Sequence, residues 1–541
     1  MKNLEEKLNL HRGGNDTGEI FVEGDPNSIN SELNLLKNQF GFCYFLDMYA
    51  AECPGDDFDF KIYYYILNLD ENIRIRYTVS ISSKFSMPSV TSIWKCSDWY
   101  EREIHEMYGV YFVNRNLDRL LLPAGCSEKP MLNSFRMGQE IEATTPFGPY
   151  FTKRNQKDPL KNWTKISTWT KSTHLSFKLW LQSDEGKVSD SIVEVGFLHR
   201  GVEKLCQNLN LFQLSPYIQR VNSHSLFCGE LSWLMAIEQR LQIKIPPKAM
   251  AIRMLLAEFS RIWEHFYFVE QVCLKLKMDK DIREFQFYKE YITELFENYT
   301  GRRQYSNVFI GGVPSELQAG WITSCYDFLP KLEIFTSKKI RELSKDYFFS
   351  EILRSDSIDG NTALELSLTG PTLRGCGINF DIRKSFPYYH YESVDFEIPL
   401  GKHGSSFDRV LVRLEEVRQS TSIILQLLDN LPTGNLLDEG HEIVSLFKAQ
   451  DDGNFNALDL MNLIDGVKIS KDVSYSSIEA GSGEWGIHLH GDGSNKASRL
   501  RISPPSFSLL QAFQSLVIGR EVSEYGAFLE SFGINSSEVD R

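Results

Sequence analysis

The apolar positions of the chain fall into blocks of different rhythm, and the first clear block is dense in β-branched and aromatic residues. Phe60–Leu67 and Ile73–Val79 have that character, with the polar Asp70-Glu71-Asn72 between them, so two antiparallel strands joined by a hairpin turn are predicted. Over Ser97–Gly109 the spacing becomes helical. Tyr100, Ile104, Met107 and Tyr108 share a face, Ser97 or Asp98 supplies a cap, and Gly109 ends the helix. From about Ala124 to Lys165 the periodicity fades, and Pro130, Pro146, Pro149 and Pro159 mark a long connector, expected to wrap over a partner. A second strand pair is predicted around His174–Gln182 and Ser189–Val195. Beyond it Ala249–Phe268 reads as a buried amphipathic helix, and Val410–Leu428 as another carrying Arg413, Glu415, Glu416 and Arg418. The expected fold class is α+β: a small N-terminal α/β domain at 1–123, a connector at 124–165, and a large, mainly helical domain at 166–541.

At 541 residues, 42% of them hydrophobic, the chain is long enough to bury a large interior in more than one folding unit. A formal net charge of −14 argues against general nucleic-acid binding, because neutralising phosphates needs a dense Lys/Arg surface. Nine Cys are scattered without a C-x-x-C pair. That spacing is poor for a disulfide framework, a zinc ribbon or an iron–sulfur cluster, so buried free thiols in a reducing compartment are expected, and no metal site. The polar N-terminus lacks the apolar core of a signal peptide, and no stretch approaches the roughly 18 apolar residues of a membrane span, so any membrane association must come through partners.

Two motif sets identify a resemblance. Trp99-Tyr100-Glu101-Arg102-Glu103, Met107-Tyr108-Gly109 and Asp118-Arg119-Leu120-Leu121-Leu122-Pro123 resemble the C subunit of bacterial NADH:quinone oxidoreductase, respiratory complex I. The run Gly196-Phe197-Leu198-His199-Arg200-Gly201-Val202-Glu203-Lys204, then Arg220, Thr369–Gly377, Phe380–Lys384, Asp395–Pro399, Asp408-Arg409 with Arg413, Asp492-Gly493-Ser494 and Val539-Asp540-Arg541 are similar to the D subunit. In this order they cover nearly the whole chain, as in a fused C/D polypeptide. The same order occurs in the large subunits of membrane-bound nickel–iron hydrogenases, whose metal is held by two Cys pairs. Here the corresponding positions are Asn222, Ser225, Asn535 and Glu538, and amide, hydroxyl and carboxylate groups do not replace four thiolates. Hydrogen chemistry is therefore not expected.

The resemblance implies a quinone-reducing site. That reaction takes two electrons, two protons and hydrogen-bond donors at the headgroup oxygens, inside a cavity that bulk water does not flood. The chain is expected to bind no cofactor itself, with the electrons coming from a 4Fe–4S cluster in a B-type iron–sulfur partner subunit. The family's headgroup His falls at His174, followed by Leu175 in place of the usual Gly, and an imidazole there donates a hydrogen bond and titrates near neutrality. Its headgroup Tyr, on a helix, falls at Ser223, whose hydroxyl donates a hydrogen bond but is far less acidic than a phenol. The neighbouring His224 is a candidate substitute, although adjacent helix positions point about 100° apart. Arg220 matches an Arg near the terminal cluster, where a fixed cation raises the cluster's electron affinity, and Tyr305 stands where the family has a cluster-proximal His.

Several charged groups carry structural expectations. His199, Arg200, Glu203 and Lys204 are expected to form a buried paired network, and Arg374, Asp381, Arg383 and Glu397 the same. Glu101, Arg102, Glu103 and Asp118 are expected on a salt-bridged helix surface or docking site. Gly311-Gly312 and Asp492-Gly493 are turn signals with no nucleotide implied. The functional expectation is a peripheral-arm subunit on the cytoplasmic side of a bacterial inner membrane, working with other hydrophilic subunits and integral membrane subunits. It would reduce quinone and help couple electron transfer to ion translocation. One alternative is a subunit of a hydrogenase-related membrane complex that lost its metal site and has another redox or ion-transport role. Another is a purely structural assembly subunit.

Overall fold

The computed structural model describes residues 10–12, 20–53, 58–115, 117–123, 126–136, 163–167, 176–304, 310–444, 461 and 464–541. Near the start, five strands form one sheet: β1 (Leu10–Arg12), β2 (Ile20–Gly24), β3 (Tyr44–Glu52), β4 (Phe60–Asn68) and β5 (Ile73–Ile81), in the order β1-β2-β5-β4-β3. β2 and β5 run parallel and the other neighbours antiparallel. The hairpin expected from the apolar pattern is β4–β5, with Asn72 at a φ of 52° in its turn. Helix α1 (Ile29–Phe40) joins β2 to β3, and α2 (Ser97–Tyr108) stops at Gly109, whose φ of 83° suits a residue without a Cβ. The cap of α2 differs from expectation: Cys96 occupies the cap position with no side-chain capping bond, and the Ser97 hydroxyl donates to the Trp94 carbonyl at 2.9 Å.

The larger part is built on α3 (Leu211–Gln219), α4 (Cys228–Leu241), α5 (Pro247–Lys275), α6 (Asp279–Thr300), α7 (Ala319–Lys345) and α8 (Ser406–Asp429). α5 extends the expected Ala249–Phe268 segment at both ends, because Pro247 suits the first turn and apolar spacing continues to Cys273. It is buried on almost every side and packs against α6 and α8. The start of α8 is fixed by a capping box in which Ser405 and Asp408 satisfy each other's backbone N–H groups. A three-stranded antiparallel sheet of β6 (Trp163–Ser167), β7 (Lys178–Asp184) and β8 (Lys187–Glu194) precedes the helices. β6 begins inside the 124–165 stretch expected to be a connector. Residues 126–136 of that stretch pack on the chain itself: Met131 N–H donates to the Met107 carbonyl at 3.2 Å, and Lys204 Nζ to the Leu132 carbonyl at 2.7 Å.

A third antiparallel sheet, β9 (Val473–Ala480), β10 (Gly483–Gly491) and β11 (Ala497–Ser503), has no counterpart in the sequence expectations. It covers the N-terminal sheet, where Tyr49 and Tyr65 meet His488 with ring centroids 4.9 and 4.3 Å apart. This explains why β3 and β4 are buried along nearly their whole length, as strands covered on both faces are. Helix α9 (Pro505–Leu516) and a final turn, Ser536–Val539, close the chain.

Buried charges tie these layers together. Arg501 of β11 grips Asp47 of β3 at 2.8 Å and Glu103 of α2 at 2.9 Å; Arg541 also reaches Glu103 at 2.9 Å, and Glu203 receives Arg499 at 2.7 Å. Glu101 is fully buried and accepts the Val90 N–H at 2.8 Å. Glu101 and Glu103 are thus internal, contrary to the expectation of a helix-surface or docking cluster, while Asp118 is exposed and its carbonyl receives Arg102. Glu203 and Lys204 are buried as expected, whereas Arg200 lies exposed and donates to the Arg220 carbonyl. Inside the helical part Arg374 meets Glu416 at 2.7 Å and Glu479 at 2.9 Å, and Arg383 meets Asp381 at 2.7 Å and Glu258 at 3.0 Å. Glu397 is exposed and stands outside this network.

Candidate functional site

Two segments far apart in sequence meet at the candidate site: the loop 220–227 between α3 and α4, and the terminal turn Ser536–Val539 with its cap Asn535. Ser223 and His224 lie in that loop and not on a helix, so the expected 100° divergence does not separate them; Ser223 Oγ and His224 Nδ1 are 3.2 Å apart. The hydroxyls of Ser223 and Ser537 are 3.0 Å apart on an exposed rim. Ser537 Oγ stands 2.8 Å from Asn535 Oδ1, which also accepts from the Ser537 N–H at 3.1 Å.

Asn222 and Asn535, two of the four residues expected where the hydrogenases carry Cys, are joined by a hydrogen bond from Asn535 Nδ2 to Asn222 Oδ1 at 2.9 Å. Both are buried, and the same Asn222 oxygen accepts the His224 N–H at 2.9 Å. Ser225, at the third position, shares a contact of 2.9 Å with Ser260 Oγ of α5, and that oxygen also receives the Leu226 and Phe227 N–H groups. Glu538, at the fourth, accepts the Ser506 hydroxyl. An amide bridge and hydroxyls here pin a loop without regular hydrogen bonds of its own. That pinning sets the hydroxyls of Ser223 and Ser537 side by side.

An aromatic stack backs the site. His224 lies on Tyr267 with ring centroids 4.5 Å apart, Tyr267 lies on Trp263 at 5.5 Å and nearly parallel, and the Lys289 ammonium faces both rings. Burial lowers His224 to about 4, against a smaller opposing effect of Asn535, so its imidazole is neutral at physiological pH and offers one donor and one acceptor. Next to the stack opens a cleft of about 430 Å³ lined by Leu226, Trp263, Gln286, Lys289, Thr293 and Arg303. Arg220 is exposed at the end of α3, one nitrogen donating to the Pro216 carbonyl at 2.7 Å. His174 and Tyr305 lie outside the described residues.

Sequence motifs place Ser223, His224 and Arg220 in this neighbourhood but do not single out Ser537, Tyr267 or Trp263 as site residues. Ser537 carries one usable signal, its position beside Asn535 and Glu538. Tyr267 and Trp263 carry none, because an aromatic on the face of a long apolar helix reads as core.

Residues 285–541 match the family model described as the respiratory-chain NADH dehydrogenase 49 Kd subunit, and residues 22–140 match the 30 Kd subunit of the same enzyme. Among curated proteins the chain is similar to the C/D subunit of NADH-quinone oxidoreductase from Bdellovibrio bacteriovorus, 28% identical over 98% of this chain and 96% of the relative. The proteins of the same name from Psychrobacter cryohalolentis and Shewanella woodyi are each 29% identical, over 90% and 95% of this chain and 86% and 89% of theirs.

Proposed function

The chain belongs to the fused C/D subunits of NADH-quinone oxidoreductase, and from that premise we propose that the loop 220–227 and the terminal turn form this chain's wall of a quinone-reducing site. The observation that carries the reading is the pairing of Ser223 and Ser537 hydroxyls beside a neutral His224, at the loop where the family's headgroup residue falls. Hydroxyl and imidazole N–H donors suit an oxygen that gains negative charge on reduction, since bonds to ionised acceptors are the strong ones. The electrons come from a 4Fe–4S cluster in a B-type iron–sulfur subunit, and Arg220, exposed at the end of α3, offers the positive charge that favours reduction of a cluster docked against it. Other hydrophilic subunits and integral membrane subunits complete the cavity.

Coupling to ion translocation belongs to the same reading and passes through the membrane subunits, because no helix among the described residues is long and apolar enough to cross a membrane. The chain would then sit peripherally on the cytoplasmic side of a bacterial inner membrane.

The test is quinone turnover by the intact purified complex. Replacing both Ser223→Ala and His224→Ala should lower NADH-driven quinone reduction by about 10- to 100-fold, the equivalent of one or two lost hydrogen bonds to a developing charge. The partner's cluster should still be reduced by NADH, as followed by electron paramagnetic resonance. Unchanged turnover in the double variant, with the complex assembled, would remove these residues from the reaction.

A further inference from the structure

We propose that Glu264 and Glu538 form a carboxyl pair that holds one proton beneath the Ser223–Ser537 rim and supplies it to the molecule reduced there. The idea rests on the quinone reading of the rim. Glu264 comes from α5 and Glu538 from the terminal turn, and both are completely buried. Glu264 accepts hydrogen bonds from Ser482 Oγ at 3.1 Å and from the Gly481 N–H at 3.2 Å. The approach is so close that a Cβ on residue 481 would come within 2.8 Å of the Glu264 carboxyl carbon. Glu538 accepts from the Ser506 hydroxyl with one oxygen, and the Trp485 side chain also hydrogen-bonds to its carboxyl.

Among the described residues neither carboxyl has an ion-pair partner. Glu238, Glu258 and Glu416, in the same helical body, are each met by an Arg at 3.0 Å or less. Arg413, the cation facing Glu264 from α8, directs its two terminal nitrogens to the carbonyls of Gly481 and Phe532. A carboxylate buried without a cation costs several kcal/mol, and retaining a proton avoids that cost.

Burial raises Glu264 to about 7, a shift that Ser482, Arg413, the Gly481 N–H and Arg261 limit. Burial and then the neighbouring Glu264 charge raise Glu538 to about 8, against the smaller effects of Ser506 and Trp485. Cys228 on α4 also faces Glu264, and burial pushes its thiol up to about 12, so it stays neutral. Two like carboxyls that repel each other lose their protons in separate steps, which leaves one proton on the pair between about pH 7 and 8.

Asn535 connects this pair to the rim. Its backbone N–H donates to Ser506 Oγ at 2.9 Å, on the Glu538 side, while its side chain contacts Asn222, Ser223 and Ser537 on the other. On two-electron reduction of a quinone at the rim, with electrons that a partner's cluster would supply, the carboxyl O–H bond of the pair breaks and an O–H bond forms on one quinone oxygen, while the second proton of the reduction comes from solvent. The pair is left as two carboxylates, of which Glu264 faces Arg413, and it regains one proton from solvent.

An infrared pH titration of the intact complex tests the pair directly, with activity as a second reading. The difference between wild type and Glu538→Gln should contain a protonated carboxyl band at neutral pH that titrates near pH 8. In Glu264→Gln the midpoint of that band should fall by at least about one pH unit, a tenfold loss of proton affinity, and the alkaline limb of quinone reduction should move the same way. Ser506→Ala keeps both carboxyls and should move the midpoint upward, because the hydroxyl stabilises the ionised form. The proposal is overturned by absence of the band, by a midpoint insensitive to Glu264→Gln, or by an alkaline limb that stays in place in both Gln variants. If the infrared results hold while the Ser223→Ala and His224→Ala pair keeps full turnover, the quinone reading of the rim fails and the carboxyl pair does not.

Discussion

Single buried charges decide much of this protein's stability, and Arg374 is the clearest case. Its guanidinium is wholly enclosed and reaches Glu416 at 2.7 Å, Glu479 at 2.9 Å and the Phe380 carbonyl at 2.9 Å. Removing it leaves Glu479 without its cation in the core, where Glu479 already sits near 7 because burial outweighs the nearby Arg groups. Arg374→Ala should therefore cost roughly 3–5 kcal/mol of unfolding free energy, read from denaturant midpoints, whereas Arg418→Ala at the surface should cost less than about 1 kcal/mol. The contrast matters because the two residues look alike in sequence. Arg374 and the pair Glu101 and Glu103 all lie in motifs, but the two glutamates read as surface residues because charged residues on a short helix ordinarily face water.

At the scale of elements, the fold was legible where side-chain rhythm alone decides it. The β4–β5 hairpin, α2 and its Gly109 stop, the β7–β8 pair and the long helices α5 and α8 all follow local pattern. The sheet β9–β11 did not, because its strands include Gly483, Gly486, His488, His490, Arg499 and Arg501. Those polar positions become strand residues only because Asp47, Glu103, Glu203 and the Tyr49 and Tyr65 rings are waiting for them across the interface. The site was legible in the same partial way: position in a motif gave Ser223, but its partner Ser537 depends on a contact across 314 residues. One element junction can be tested sharply. Gly196 has a φ of 97°, and a Cβ there would lie 2.1 Å from the Leu121 carbonyl oxygen, where backbone meets backbone. Gly519 has a similar φ of 86° with nothing within 4 Å. Gly519→Ala should cost about 1–2 kcal/mol from backbone strain, and Gly196→Ala should cost at least about 1–3 kcal/mol more, as measured by urea unfolding. Equal costs would show that the Leu121 contact does not hold the β8 end against residues 118–123.

For the whole molecule, buried carboxyls of two kinds predict opposite responses to pH. At the interface between the first and third sheets, burial works to raise Asp47, but Arg501 and His488 hold it well below the usual carboxylate range. A lowered carboxyl contributes stability that is complete above its unfolded value near 3.9 and is lost as pH falls toward the folded value. Glu538 and Glu264 are raised to about 8 and about 7, so their contribution is complete below an unfolded value near 4.5 and is lost as pH rises through the folded values. Stability should therefore peak at about pH 4 to 4.5, around the unfolded carboxyl values, and decline on both sides, with different residues responsible for each side. Asp47→Asn should lower stability at neutral pH, because Arg501 loses a partner, and should flatten the acid decline while leaving the alkaline one. Glu538→Gln should do the reverse, flattening the alkaline decline by roughly 3–5 kcal/mol between about pH 5 and 9 without changing the acid side. Denaturant midpoints across that range, for the wild type and both variants, separate the two contributions. A profile in which either variant changed both flanks equally would mean that the sheet interface and the acid pair unfold as one electrostatic unit, and that the charges joining the two sheets also set the proton affinity beneath the rim.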